Sequence, residues 1–365
     1  MPAKTSAVAA TLLVVSGLVS AAEQDAQRRD STEQNRIYST PEERRDAGLK
    51  YEIVPGLAVS ALAELEYSVQ RAGLVEGSFH ARTEDFSKAL QLVLEATPRS
   101  WAKVDVVYQY NDPPDQNSSR HTLDEAIASF DVGALELEMG KLYLPFGMYF
   151  SRFVSGPLLE FGETQARGAS FLYKPFTRFD VAAFAYQGAA EALESGGENR
   201  DWGLAANAAP FGSCVMGVSY LSDLADSRAR LLRDHQDRYI AQIAGWSAYA
   251  TAIYGRIGVT AEFVGALDSF EELDPMHDKP RAWNIELAFA HDGRLDWALR
   301  LEGSTELEDA PHRQGGIAAT WRVLRNATVT GEYLLGRFEP GVAQDAEGQE
   351  LKRLRQFGMQ ISFAF

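Results

Sequence analysis

Acidic side chains recur at two-residue spacing along this chain, as Glu64 and Glu66 and as Glu136 and Glu138. Glu95, Asp105, Glu262, Glu286, Glu302 and Glu332 stand in the same alternating surroundings. Lys103, Arg300 and Arg322 occupy equivalent positions with the opposite sign. Fixed carboxylates on one face of an extended wall enrich cations near it and repel small anions, which is selection rather than bond chemistry. A second group, Lys141, Arg152, Glu160, Glu163 and Arg167, lies in GKLYLPFGMYFSRFVSGPLLEFGETQAR, residues 140–167. Charges of both signs in such an apolar setting either contact a polar solute or pair with each other. Catalysis asks for a nucleophile, a base and an orienting group. His80, His121, His235, His277, His291 and His312 come without G-x-S-x-G or a repeated metal-ligand spacing, so no enzyme, cofactor or metal site is expected.

The elements that carry these residues read as strands. In GLAVSALAELEYSVQ, Leu57, Val59, Ala61, Ala63, Leu65, Tyr67 and Val69 share one face, and Ser60, Glu64, Glu66, Ser68 and Gln70 share the other. WAKVDVVYQY, WNIELAFA, LDWALRLEG, GIAATWRV, TVTGEYLL and FGMQISFAF repeat the pattern. Such strands either face a second sheet or face lipid.

The connections separate the two. TPRS, DVGA, KPFTR, APFGS, YGRIG, AHDGR and LRNA are tight. Between them lie long, polar, mostly acidic segments: Gln70 to Asp85, Gln187 to Arg200, Ser222 to Arg238, Asp268 to Arg281, Glu306 to Arg313 and Glu339 to Lys352. Short turns at one end and long loops at the other mark an outer-membrane barrel. The expectation is an all-β transmembrane antiparallel up-and-down β-barrel of about 16 strands over 56–365, with the stretch 140–167 as an inward-folded loop between strands 5 and 6. Tyr67, Tyr108, Trp202, Tyr220, Trp283, Trp321 and Tyr333 suit interfacial girdles.

The chain's start fits export from the cytoplasm. One Lys precedes the apolar run from Ala7 to Val19, and small residues end at Ala22, so 1–22 reads as a cleaved signal peptide. Residues 23–55 are polar and too poor in apolar side chains to fold alone, and are read as a periplasmic segment. Cys214 is the single cysteine, so no intramolecular disulfide is available. A formal net charge of −16 excludes general nucleic-acid affinity.

GKLYLPFG followed by SGPLLEFGET resembles the siderophore porin family of the LbtU-like, legiobactin-receptor type. There, a G-[KQ]-x-Y-x-P-F-G run precedes a DPL…GET run. Gly156 stands where that pattern has Asp, which removes any contact made by the acid. The C-terminal alternation Phe357, Met359, Ile361, Phe363, Phe365 resembles the signal read by the barrel assembly machinery. The resemblance implies a Gram-negative outer-membrane channel for small polar solutes such as ferric siderophores, in contact with lipid and lipopolysaccharide. Only the roughly thirty residues of 23–55 stand between the expected cleavage site and the first strand, too few for an energy-coupling plug domain. A phosphate- or oligosaccharide-type porin is the alternative, although its phosphate form needs rings of Lys and Arg that are scarce here. A non-conducting adhesin is another. Monomer and homotrimer are equally compatible with the sequence, because an oligomer interface and a lipid face look alike in composition.

Overall fold

Alternating apolar residues can be left on a sheet's outer face only if hydrocarbon covers them, and hydrocarbon offers nothing to an unpaired strand edge. The sheet must therefore close. The computed structural model describes residues 50–74, 80–113, 119–192, 200–228, 231, 238–273, 278–291, 293–307, 310–341, 343 and 350–365. The expected signal peptide, and the polar segment up to residue 49, lie outside the described residues.

Sixteen strands form the wall: β1 (Leu57–Leu74), β2 (His80–Arg99), β3 (Ala102–Asp112), β4 (His121–Val132), β5 (Leu135–Tyr143), β6 (Gln165–Phe176), β7 (Phe179–Gln187), β8 (Arg200–Phe211), β9 (Cys214–Leu221), β10 (Gly245–Tyr254), β11 (Ile257–Ala266), β12 (Arg281–Ala290), β13 (Leu295–Thr305), β14 (Arg313–Leu324), β15 (Ala327–Arg337) and β16 (Leu351–Ala364). Each pairs antiparallel with the next. The last, β16, pairs with β1 from Leu351↔Leu74 to Ala364↔Leu62, which completes the ring. A four-residue strand, Tyr51–Val54, folds back on the start of β1.

The two faces sort as the alternation demands. On β12, Ile285, Leu287 and Phe289 are exposed, whereas Ala282, Asn284, Glu286 and Ala288 are buried. Leu299 and Leu301 on β13, and Tyr333 and Leu335 on β15, continue the exposed apolar surface. A continuous apolar exterior of this extent is a lipid-facing surface. Two-residue turns at one end, such as those with Gly133 (φ 67°) and Gly255 (φ 58°), need the left-handed backbone that glycine accepts.

Two expectations change. The long connection read from Gln70 to Asp85 is mostly strand, because β1 and β2 stay in register from Gln70↔Thr83 to Gly73↔His80. A strand that has left the hydrocarbon no longer needs an apolar face, so its composition becomes that of a loop. The second change concerns Lys141 and Arg167, which are partners in the β5–β6 register. That register is unbroken through Gly140, so no bulge turns Lys141 inward. Both share the parity of exposed Met139, Phe171 and Tyr173, and Arg167 is itself exposed. They stand on the outer face and are not constriction residues. Lys141 Nζ donates instead to the Leu123 carbonyl at 2.7 Å.

Candidate functional site

Residues 144–164, between β5 and β6, contribute Leu144, Phe146, Tyr149, Leu159 and Phe161 to the largest apolar cluster among the described residues. Phe146 and Leu159 are fully buried and pack with Phe184, Tyr186, Leu224, Ala225, Tyr239 and Val264. Pro145, Gly147 (φ 78°) and Tyr149 (φ 54°) keep the first part of the segment irregular, and a five-residue 3-10 helix, Leu158–Gly162, forms near its end. A buried irregular segment leaves backbone amides that need acceptors. The wall supplies them from strands on the opposite side of the ring.

On β11, Glu262 accepts from the amides of Met148 and Tyr149, the latter at 2.9 Å. On β12, Glu286 accepts from the Arg152 amide at 3.1 Å and the Ser151 hydroxyl at 2.7 Å. Glu302 on β13 accepts from the Leu158 amide at 2.7 Å and from Gln314 Nε2 at 2.9 Å. Glu332 on β15 accepts from the Ser155 amide at 3.0 Å and also from its hydroxyl. Arg300, at the centre of this row, donates to Ser151 Oγ at 2.9 Å and to the Ser155 carbonyl at 2.8 Å. Its guanidinium lies 4.3 Å from the Phe153 ring centroid and 3.0 Å from Glu302. Phe153 in turn fills a patch of Ala298, Ala318 and Leu334. Aligned acceptors in a dry setting are stronger than their solvated counterparts, and each is costly to remove.

The inward positions read from parity divide into two sets. Glu262, Glu286, Arg300, Glu302 and Glu332 are occupied by the segment. Glu64, Glu66, Glu95, Lys103, Asp105, Glu136 and Glu138 line β1, β2, β3 and β5, on the same face as buried Leu62, Val107 and Ser129. Within that set Lys103 meets Asp105 at 2.9 Å, and Ser362 donates to Glu64 at 2.9 Å. Lys174 on β6 meets Glu136 at 2.6 Å, and this inward cation was missed because KPFTR reads as a turn. Arg322 on β14 donates to the Gly293 carbonyl at 3.0 Å, at the short-turn end.

Among the segment's own charges, Arg152 approaches Glu286 at 3.5 Å and lies 4.9 Å from the Phe150 centroid. Glu163 is buried, and its carboxylate accepts from Arg228 at 2.8 Å while its carbonyl accepts the Arg228 amide. Burial pushes the Glu163 carboxyl up, opposed by the Arg228 charge. Arg228 has no sequence signal, since it sits in a long polar connection. Glu160 is half-buried against Gly156, where a Cβ would come within 1.5 Å of its Oε2.

A third grouping lies where β8 meets the β9–β10 connection. Asp201, Asp223 and Asp226 are buried together, each offering an oxygen within 4.8 Å of the others. Burial, then the neighbouring carboxylates, push Asp226 up to about 7 and Asp223 up to about 8.

No protein-family profile matches the chain. The solved structures with the same ring of strands include the outer-membrane channel DcaP of Acinetobacter baumannii, covering 86% of this chain and 99% of that one with 11% identity and a TM-score of 0.58. The chain has the fold of an outer-membrane porin. OmpF of Salmonella typhi shares it over 86% of this chain and 100% of its own, with 10% identity and a TM-score of 0.60. The anion-selective porin of Comamonas acidovorans does so over 85% and 100%, with 9% identity and a TM-score of 0.61. In sequence, a UPF0422 protein of Coxiella burnetii is 23% identical over 249 residues, 64% of this chain. The chain spans about half the length of that curated relative, 52%.

Proposed function

We propose that this porin fold is a passive channel in the Gram-negative outer membrane, with an aperture set by residues 144–164. The observation that carries the reading is the row of wall carboxylates, Glu262, Glu286, Glu302 and Glu332, bonded to that segment's amides. A segment held against the far wall narrows the passage without sealing it against β1–β6. Solute then passes the acids of that near wall, with Arg152 and Glu160 as the segment's own contribution at the aperture. Acids outnumber Lys103 and Lys174 there, so the channel favours cations over small anions.

Ferric siderophores are the solute class we propose, supported by the resemblance of GKLYLPFG and SGPLLEFGET to the siderophore porins. Phe365, exposed on the outer face at the ring's seam, is the proposed contact for the barrel assembly machinery. Planar-bilayer recording tests the channel directly: discrete openings with a cation-selective reversal potential in a salt gradient are expected. A silent barrel, or clear anion preference, refutes the reading. Growth of an iron-limited strain with and without the protein tests the solute class, and equal growth removes it.

A further inference from the structure

We propose that Asp201, Asp223 and Asp226 form a divalent-cation site, suited to Ca2+, which ties β8 to the β9–β10 connection at the long-loop end of the wall. Ca2+ takes six to eight oxygen ligands at roughly 2.3–2.6 Å, so oxygens sharing one ion lie within about 5 Å of each other. The three carboxylates meet that condition with one oxygen each. Their other contacts orient them. Asp201 Oδ1 accepts from Ser222 Oγ at 3.1 Å and Gln242 Nε2 at 2.9 Å. Asp226 Oδ1 accepts from the amides of Ala189 and Ala190 at 2.7 and 2.9 Å. Asp223 accepts from the Ala225 amide at 2.9 Å and from the Tyr239 hydroxyl.

That bonding leaves Asp201 Oδ2 and Asp226 Oδ2 buried with no hydrogen-bond partner. A further buried oxygen without a partner stands outside the acid group. Tyr186 is directly opposite Asp201 in the β7–β8 register, is 5% exposed, and its hydroxyl is also buried and unpartnered. The charges that act on this hydroxyl are Asp226, Asp201 and Asp223. Asp201 Oδ2 and Asp226 Oδ2 thus face one space, with the Tyr186 hydroxyl in the field of the same acids, which is costly unless something occupies that space. Gly188 keeps the space open: a Cβ there would lie 2.3 Å from Asp226 Oδ2 and 2.7 Å from Asp201 Oδ2. A hard dication bridging these oxygens removes the repulsion between carboxylates and completes the tyrosine's contacts.

The test uses the full chain folded in detergent, with Tb3+ as a luminescent stand-in for Ca2+ and tyrosine excitation through Tyr186 and Tyr239. Saturable sensitised emission displaced by Ca2+ is expected, with affinity reduced about tenfold or more in Asp226→Asn and in Asp201→Asn. Asp268→Asn, in an exposed acidic loop, serves as the control and should leave emission unchanged. Gly188→Ala fills the space while leaving all three carboxylates in the chain, so it should abolish Ca2+-displaceable emission even if an Asp variant fails to fold. Equal emission in wild type and Gly188→Ala overturns the proposal. So does a wild type with no Ca2+-displaceable emission whose Asp226→Asn variant is more heat-resistant in chelator, which marks a proton shared between acids instead.

Discussion

Replacing Glu262 by Leu removes the two acceptors that hold Met148 and Tyr149 while keeping the side chain's bulk. Both amides sit at buried positions, so each is left without a partner in the docked state. An orphaned buried donor costs roughly 1–3 kcal/mol, so the docked segment should lose roughly 2–6 kcal/mol. Since every 1.4 kcal/mol is tenfold, the undocked population should rise at least about thirtyfold. The barrel itself should persist, because its ladders do not pass through Glu262's carboxylate. Single-channel recording should show added open-state noise and a higher mean conductance, and protease should cut within 144–164 sooner. Glu262→Gln, which retains one carbonyl acceptor, should fall between the two. If Glu262→Leu matches wild type in both noise and cleavage, the wall carboxylates do not hold the segment and the account of the aperture is wrong.

Four further outcomes follow from the same geometry. Neutralising the near wall with Glu136→Gln and Glu138→Gln should move the reversal potential toward the non-selective value, whereas Glu302→Gln, whose carboxylate bonds the segment, should move it less. Ile285→Arg puts a cation at mid-strand on the lipid face and should cost roughly 2–4 kcal/mol in a membrane-refolding titration. Gly140→Ala should slow folding or lower heat resistance on gels, because its Cβ would meet the Ala126 carbonyl at 1.9 Å in a φ 140° backbone. Gly156→Asp, which restores the acid of the resembled motif, must displace Glu160 and should change solute-dependent current in planar-bilayer recording; an unchanged current removes Glu160 from the aperture.

The face of a charge inside a regular strand was legible in the sequence because strand period is two and the lipid side admits few polar residues. Glu286 between Ile285 and Leu287 could point only one way. What that carboxylate bonds was not legible, because a backbone amide carries no residue-type signature. Strand parity turns Lys141 toward lipid unless Gly140 bulges, and the unbroken register through Gly140 decides its side; Arg167, its partner across that register, goes with it. The Asp201–Asp223–Asp226 group was invisible to spacing rules, since β-pairing to Tyr186 and a returning loop assemble it from separate stretches.

The seam between β16 and β1 joins segments nearly three hundred positions apart, as the Ser362–Glu64 hydrogen bond across it illustrates. In N-to-C order it is the pairing whose second half is made last. Until residue 351 onward arrives, the growing sheet carries two raw margins that any neighbouring strand could capture. Folding of this chain is therefore a race between self-stitching and polymerisation.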